Sequence, residues 1–167
     1  MRLLGGCLLF ALVTACCGCR GWDTLRVYEK NETIPGYAWD YQFRPSYEVS
    51  ITDTAARYNI YVTLRHTDAY PFSNIWLLIR TRHAGDSTLS RRVELPLADR
   101  QGRWLGSGVD DIFEHRIPIQ ENARFGKPGT WFFSLEQNMR LNPLPHVMNV
   151  GIRIEKLPPA ARPPVNR

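Results

Sequence analysis

The residues with the clearest chemistry are the four cysteines, which all lie within the first 19 residues of the 167-residue chain. A charged start and an apolar stretch lead to residues 13–15, Val-Thr-Ala, and then directly to Cys16. This pattern is typical of a secretory signal peptide with small residues before the cleavage point. A cysteine at the next position predicts a bacterial lipobox, in which the Cys16 thiol is acylated and becomes the mature N-terminus.

Two other interpretations of the cysteines remain beside lipidation. The segment could be an ordinary cleaved signal with incidental cysteines, or Cys16, Cys17 and Cys19 could contribute to a metal site. No histidine stands nearby to complete a tetrahedral set of ligands. The apolar stretch of residues 3–13 is also short, since a membrane-spanning helix needs about 20 residues. We therefore predict a signal peptide at residues 1–15 and a lipid anchor with a short leash at residues 16–21.

The remaining residues with reactive side chains do not form a recognisable active site. The four histidines are far apart in sequence and form no close pair of metal ligands: His66, His83, His115 and His146. We interpret them as surface or edge-strand residues. The glycines at 106 and 108 lack the third glycine of a dinucleotide-binding loop. The sequence therefore predicts no metal and no cofactor.

Three acidic residues lie close together, at Asp110, Asp111 and Glu114. Two carboxylates across a cleft are what a glycoside hydrolase needs, and Asp110 and Glu114 would share a face if this segment were helical. Acidic residues at the start of a helix are also favoured by the helix dipole, which explains them without catalysis. We therefore predict no catalytic residue and no enzymatic activity.

The five tryptophans are candidates for a binding platform, because exposed aromatic rings stack on sugars. Trp76 lies within the continuous apolar run of residues 75–79 and is predicted to be buried. Trp39 and Trp104 lie beside polar and glycine-rich segments. These two residues are our candidates for an aromatic platform that binds glycan or peptide.

The charge of the chain gives little indication of a partner. Loss of Arg2 with the signal peptide lowers the formal net charge from +5 to +4. The basic residues are scattered and form no polybasic run. A solvated surface explains this pattern, and attraction to anionic lipid or envelope polymer is the alternative. Nucleic acid is not expected as a partner in an exported protein.

The elements that must position these residues are short strands, since apolar residues alternate with a period of two from residue 22 onward. Alternating or continuous apolar segments occur at residues 39–43, 47–51, 58–64, 75–79, 93–97, 117–119, 131–135 and 147–154. Pro96 and Pro118 place two of these strands at sheet edges, and the run of residues 75–79 indicates a central strand. One short helix is expected near residues 109–115.

This pattern predicts an all-β fold, a single antiparallel β-sandwich of about eight or nine strands over residues 22–156. Its topology would be jelly-roll or immunoglobulin-like, and a closed barrel is the structural alternative. Residues 157–167 contain four prolines and no apolar period. We interpret them as a flexible proline-rich tail outside the fold.

Five sequence blocks, together with residues 27–30, carry a resemblance that covers nearly the whole mature chain. The blocks are residues 57–65, 69–77, 102–116, 125–140 and 150–155. In them the chain resembles the GldH family of gliding-motility lipoproteins from Bacteroidetes. The resemblance implies an envelope lipoprotein from a set of gliding proteins tied to surface-adhesin movement and to the protein secretion machinery of gliding bacteria. It implies no enzymatic activity, no cofactor and no particular binding residue.

The residues that follow Cys16 indicate the side of the membrane on which the protein lies. Bacteroidetes lipoproteins sent to the cell surface tend to carry acidic residues just after the lipidated cysteine. Here no acidic residue precedes Asp23. We therefore predict a lipid anchor in the outer membrane with the body facing the periplasm.

Two polar segments at strand ends are candidates for contact with a partner. Around Tyr70 and Asn74 the sequence also fits a tight turn in which a polar side chain bonds the backbone. Arg140 follows Glu136 by four residues and either pairs with that carboxylate or faces a partner. Because loops at strand ends often carry binding, Tyr70, Asn74 and Arg140 form the candidate partner surface.

Two classes of function remain from the sequence. The first is a non-enzymatic component or assembly factor that docks on other envelope or gliding lipoproteins. The second is a lipid-tethered module that binds envelope glycan or peptide through exposed aromatic rings. A flat polar and aromatic face would favour the first class, and a groove lined by Trp39 or Trp104 would favour the second.

Overall fold

The computed structural model describes residues 25–158, so Cys16, the leash and most of the proline-rich tail lie outside the described residues. The described chain forms eleven strands and one short 3-10 turn at Pro35–Tyr37. The strands are β1 (Arg26–Thr33), β2 (Ala38–Trp39), β3 (Ser46–Ile51), β4 (Tyr58–Thr67), β5 (Asn74–His83), β6 (Leu89–Pro96), β7 (Ser107–Val109), β8 (Ile112–Ala123), β9 (Gly129–Gln137), β10 (Leu144–Pro145) and β11 (Val147–Lys156). None of the described residues forms a helix long and apolar enough to cross a membrane.

The strands form two antiparallel sheets and a small ribbon. The five-stranded sheet has the order β1-β11-β4-β8-β7, and the four-stranded sheet has the order β3-β9-β5-β6. Strands β2 and β10 pair as the ribbon. The chain crosses repeatedly between the two sheets, because β3, β5 and β9 each connect to a strand of the other sheet. This arrangement confirms the predicted antiparallel β-sandwich.

The core lies between the two sheets and is built by the alternation seen in the sequence. In β3 the residues alternate strictly between exposed and buried, and in β4 every second residue from Tyr58 to His66 is buried. Successive side chains of a strand point to opposite faces, so one apolar face of each strand packs against the other sheet. The resulting core includes Tyr47, Val49, Ile60, Val62, Leu64, Ile75, Leu77, Leu135, Val150 and Ile152.

The short helix expected near residues 109–115 is wrong. Strands β7 and β8 form a hairpin there, with Val109 opposite Ile112 and the two aspartates in the turn. Asp110 has a φ of 54°, a left-handed conformation that aspartate adopts more readily than most residues. The inward positions of β8 are spaced by two residues, which is the period of a strand.

The edge prediction from Pro96 agrees with the topology, whereas the strand of Pro118, β8, lies between β4 and β7. Pro96 ends β6, the edge strand of the four-stranded sheet, and β5 is central in that sheet, as predicted. Strand β8 pairs with β7 only as far as Glu114. Pro118 therefore has a strand neighbour on one side among the described residues, where it lies opposite Tyr61 beside a register irregularity. Proline fits such a position because it donates no ladder hydrogen bond.

The first and last described residues lie at the same end of the sandwich, which we call the anchor end. The Lys156 N–H donates to the Leu25 carbonyl at 2.7 Å, and the Leu157 N–H donates to the Arg57 carbonyl at 2.7 Å. The loop from β5 to β6 meets the connection from β8 to β9 at the same end, where Lys127 pairs with Asp86 at 2.9 Å.

Candidate functional site

The outer face of the four-stranded sheet carries large apolar side chains that the core does not cover. Along β5 the inward residues Ile75, Leu77 and Ile79 are buried, while Trp76 and Leu78 are half-buried on the opposite face. The prediction that Trp76 is buried is therefore wrong. Phe132 on β9 is also half-buried and lies opposite Arg82 of β5.

Two arginines lie over the aromatic rings of this face. The Arg92 guanidinium is 4.2 Å from the centroid of the Trp76 ring, and the Arg82 guanidinium is 4.5 Å from the centroid of the Phe132 ring. Such cation–π contacts contribute about 0.5–1 kcal/mol each at exposed sites. Within residues 25–158, neither arginine forms an ion pair, so both guanidinium groups keep donors available. We call Trp76, Leu78, Arg82, Arg92 and Phe132 the arginine–aromatic face.

Two of the carboxylates beside this face have hydrogen-bonding partners. Glu136 accepts from Arg80 at 2.6 Å and from Arg44 at 2.9 Å. Glu94 accepts from the Asn74 side-chain amide at 2.5 Å. The predicted residue Asn74 therefore lies at one end of this face, where it fixes a carboxylate. Glu94 keeps its negative charge because the Asn74 amide is neutral, and the exposed Glu48 of β3 lies opposite Phe132. Neither carboxylate forms an ion pair within residues 25–158, so the face presents unpaired charges of both signs, positive at Arg82 and Arg92 and negative at Glu48 and Glu94.

The other two residues of the predicted partner surface lie elsewhere. Tyr70 is buried, contrary to a surface role, and its hydroxyl donates to the Asn74 carbonyl at 3.0 Å. It is buried because its ring packs against His66 and Phe72. Arg140 is exposed and forms no ion pair with the described residues. Its predicted pairing with Glu136 is not made, because Arg80 and Arg44 occupy that carboxylate.

Trp39 is not an exposed platform. Its side chain is 0% exposed, and its indole N–H donates to the Phe43 carbonyl at 2.8 Å. The reason is the β2–β10 ribbon, in which Trp39 pairs with Leu144. The Gln137 side-chain amide donates to the Trp39 carbonyl at 3.2 Å and ties the ribbon to β9.

Trp104 is half-buried and belongs to an aromatic and histidine cluster. Its indole N–H donates to the Asp68 carboxylate at 2.7 Å, and its ring centroid is 4.5 Å from that of His66. Phe113 packs against both rings. Trp104 therefore has one ring face and its polar atom occupied by the protein, which leaves little of it for stacking on a sugar.

A buried histidine pair lies beneath this cluster and was not predicted. The Nε2 atoms of His66 and His115 are 2.9 Å apart, although the residues are 49 apart in the chain. The His66 Nδ1 lies 2.8 Å from the Thr67 carbonyl. Because that nitrogen must donate, the His66 Nε2 accepts the hydrogen bond from the His115 Nε2. Both imidazoles are then neutral.

Burial sets the protonation of this pair. It lowers the pKa of His66, and it lowers the pKa of His115 to about 4, with repulsion from a charged His66 as the second cause. The prediction of surface or edge-strand histidines is wrong for these two. The sequence pattern did indicate that these two histidines are buried. His66 continues the inward alternation of β4, and His115 lies between the inward residues Phe113 and Ile117 of β8.

The described residues contain no group of three or more side chains suited to bind a metal ion. The acidic trio is divided between the β7–β8 turn and β8, although Asp110 and Glu114 both line one shallow depression. Asp110 and Asp111 are exposed in the β7–β8 turn, and Glu114 pairs with Arg65 at 2.7 Å on the outer face of the five-stranded sheet. The shallow depression beside this pair has a volume of about 690 Å³, and no aromatic side chain lines it.

The outer face of the five-stranded sheet is closely packed at Gly151. The Thr63 hydroxyl donates to the Asn31 side-chain oxygen at 2.5 Å, directly across this glycine. A Cβ at position 151 would collide with both of those side chains and with the Lys30 carbonyl. The glycine is therefore required by close approach.

We expect Gly151→Ala to lower the free energy of unfolding by about 2 kcal/mol, because the added methyl group overpacks this face. Gly126 is the matched control, since a Cβ there would meet no atom within 4 Å. Urea unfolding of Gly151→Ala and Gly126→Ala measures both effects. Equal stability of the two variants would contradict the close approach.

Comparison with known proteins gives the family. The family model described as GldH lipoprotein matches residues 26–154, which is almost the whole range from β1 to β11. The chain belongs to the GldH lipoprotein family. No solved structure matches it.

Two curated relatives show the same similarity. The chain is 28% identical over 141 residues to the "Gliding motility lipoprotein GldH homolog" of Christiangramia forsetii, which covers 80% of this chain and 86% of the relative. It is 26% identical over 141 residues to the "Gliding motility lipoprotein GldH" of Flavobacterium johnsoniae, with coverage of 80% and 87%. The GldH family match includes the arginine–aromatic face and the buried histidine pair, so both lie within the family domain.

Proposed function

We propose that this GldH-family chain is a lipid-anchored component or assembly factor of the gliding motility apparatus and its associated protein secretion machinery. It acts without catalysis, by docking on other envelope proteins. Cys16 holds it in the outer membrane with the body facing the periplasm. The family match and the printed names of the two relatives, both gliding motility lipoproteins, support the proposal.

The arginine–aromatic face is the observation that carries the docking role. Aromatic residues and arginine are enriched in protein interfaces and in their energetic hot spots. Here the contacts with Trp76 and Phe132 restrain two arginines, which reduces the side-chain entropy lost when a partner binds. Along β5 the arginine–aromatic face extends from beside Asn74 to Arg82. This distance is about 26 Å at the rise per residue of a strand. That length suits a standard protein interface of about 800 Å² per partner.

The glycan or peptide platform has less support. Trp39 is buried and Trp104 is tied to Asp68. The polar depression beside Arg65 and Glu114 has the concave shape that a glycan would need, but no aromatic side chain lines it. Docking of a protein on an open sheet face fits the described residues better.

The anchor limits where a partner can be. Eight residues lie between Cys16 and Leu25, so the nine Cα–Cα steps place the first described residue at most about 30 Å from the lipidated cysteine. The anchor end of the sandwich therefore stays near the membrane. The partner must be another membrane-bound envelope protein or a periplasmic protein that approaches the membrane.

The test is crosslinking in native membranes followed by a pull-down with the tagged full-length chain. We expect recovery of gliding or secretion-machinery proteins, identified by mass spectrometry, and loss of that recovery in Cys16→Ser. The double variant Arg82→Glu with Arg92→Glu should reduce recovery at least tenfold, because it reverses the charge and removes both stacked guanidinium groups.

The matched control for the double variant is Arg100→Glu with Arg116→Glu, which makes the same charge change at exposed positions away from the face. It should leave recovery unchanged. If the wild-type chain captures no envelope protein, the docking function is wrong. If both double variants lose the partner equally, docking occurs through overall charge and the arginine–aromatic face is the wrong surface.

A further inference from the structure

An apolar cleft of about 270 Å³ opens between the two sheets, where β6 and β8 lie across from each other. Its walls come from both sheets and are largely aliphatic and aromatic: Ile60, Ile79, Ile119, Phe125, Trp131 and Phe133. The Arg91 guanidinium spans the gap by donating to the Ile119 carbonyl at 2.7 Å. The cleft therefore reaches into the sandwich core from the side.

The rim of the cleft is cationic. Arg91 and Arg124 line its mouth, both are exposed, and neither forms an ion pair within the part of the chain that the structure describes. Leu89 at the same mouth is 74% exposed. An apolar interior with two guanidinium groups and an exposed leucine at its opening matches an amphiphile that has an apolar chain and an anionic head.

The position of the cleft indicates the source of such a molecule. Ala123, Phe125 and Trp131 line it, and they flank the β8–β9 connection at the anchor end. Leu25 lies at this end too, and the chain that leads back to Cys16 spans at most about 30 Å. A lipid anchor at Cys16 would therefore hold the mouth of the cleft near bilayer lipid.

We propose that this cleft binds one acyl chain of an anionic membrane phospholipid, whose headgroup pairs with Arg91 and Arg124. Burial of the apolar chain against the aliphatic and aromatic walls drives binding, and the two guanidinium groups select for negative charge. This site is separate from the arginine–aromatic face, which lies on the outer face of the four-stranded sheet. The proposal therefore does not depend on which protein docks there.

The experiment titrates the mature chain carrying Cys16→Ser with lauroyl-lysophosphatidylglycerol below its micellar concentration. Isothermal calorimetry and native mass spectrometry measure affinity and stoichiometry. We expect one molecule bound per chain, with at least tenfold weaker binding in Ile119→Trp, which fills the cleft. Ile117→Trp is the matched control, because Ile117 lies two residues away on β8 outside the cleft. It should bind like the wild type.

The rim is tested with Arg124→Glu and with uncharged monolauroylglycerol. We expect the Arg124→Glu variant to bind the anionic lipid about tenfold more weakly, and the wild type to bind the neutral lipid about tenfold more weakly. Because Arg124 is exposed, its substitution leaves the fold intact. Absence of saturable binding, or equal binding by Ile119→Trp and Ile117→Trp, would overturn the cleft as an acyl site. Equal affinity for the neutral lipid would overturn the anionic headgroup. If the lipidated chain fails to bind while Cys16→Ser binds, the protein's own acyl chain fills the cleft, which contradicts a bilayer source.

Discussion

Trp39→Ala is expected to lower the free energy of unfolding by about 4 kcal/mol, the usual cost of truncating a fully buried tryptophan. The side chain is 0% exposed and packs under the β2–β10 ribbon. The variant also removes the N–H that donates to the Phe43 carbonyl, which leaves a polar group without its partner. Urea unfolding followed by far-ultraviolet circular dichroism measures the loss.

Trp76→Ala is the matched control for this prediction. Trp76 is half-buried on the outer face, under Arg92, so its removal costs the stacking and little core packing. We expect a loss of less than about 1 kcal/mol, as for surface positions with one cation–π contact. If Trp76→Ala lowers the free energy of unfolding more than Trp39→Ala does, Trp76 is the buried core ring and this prediction is wrong. Trp39 would then be the exposed ring that a glycan platform requires.

These two tryptophans show which structural features the sequence pattern predicts and which it does not. Alternation predicted the sandwich, Pro96 predicted the edge position of β6, and the continuous apolar run of residues 75–79 predicted the central position of β5. The alternation over residues 39–43 predicted a strand that the structure ends at Trp39, because residues 41–42 form a turn. Trp76 was misplaced because a continuous apolar run indicates burial on both faces. In the structure the outer side of that run is covered in part by Arg92, a contact that comes from β6.

The candidate site shows the same limit. Tyr70 and Asn74 belong to one distinctive block, but the turn between them places the Tyr70 ring in the core and the Asn74 amide on the outer face. Arg82 and Arg92 lie on neighbouring strands, and the rings beneath them come from β5 and β9. Such a surface depends on register across three strands, which local spacing does not give. The lipobox at Cys16 is read from contiguous residues and needs no fold.

Acid is expected to destabilise the folded protein well above the pH at which carboxylates titrate. The pKa of His115 falls from 6.5 to about 4 on folding because of burial, and burial lowers the pKa of His66 as well. The unfolded chain therefore binds more protons between these values, so stability falls as the pH falls below about 6.5 and this effect levels off near pH 4. Since each tenfold change in proton affinity is worth about 1.4 kcal/mol, His115 alone contributes a loss of about 3 kcal/mol.

The geometry of the pair gives this loss its physical cause. One imidazole lone pair accepts the other ring's N–H across 2.9 Å, and protonation of that acceptor would place two N–H groups against each other. The lowered pKa values of Asp53, Asp86 and Asp99 act only below about pH 4, because carboxylates whose pKa is lowered on folding lose their contribution below their unfolded value of 3.8. Urea unfolding between pH 7 and about pH 4.5 therefore isolates the histidines.

The variant that decides the question is His115→Gln, which keeps a hydrogen-bonding side chain and removes one titrating ring. It should be less stable than the wild type at pH 7 but lose less stability on acidification, because it removes the ring whose pKa falls to about 4 on folding, while burial still lowers the pKa of His66. Tyr70→Phe is the control, since it removes only the hydroxyl that donates to the Asn74 carbonyl, keeps the ring that packs against His66 and leaves both imidazoles in place. It should keep the wild-type acid sensitivity. If His115→Gln is as acid-sensitive as the wild type, the buried pair is not the group that responds to acid.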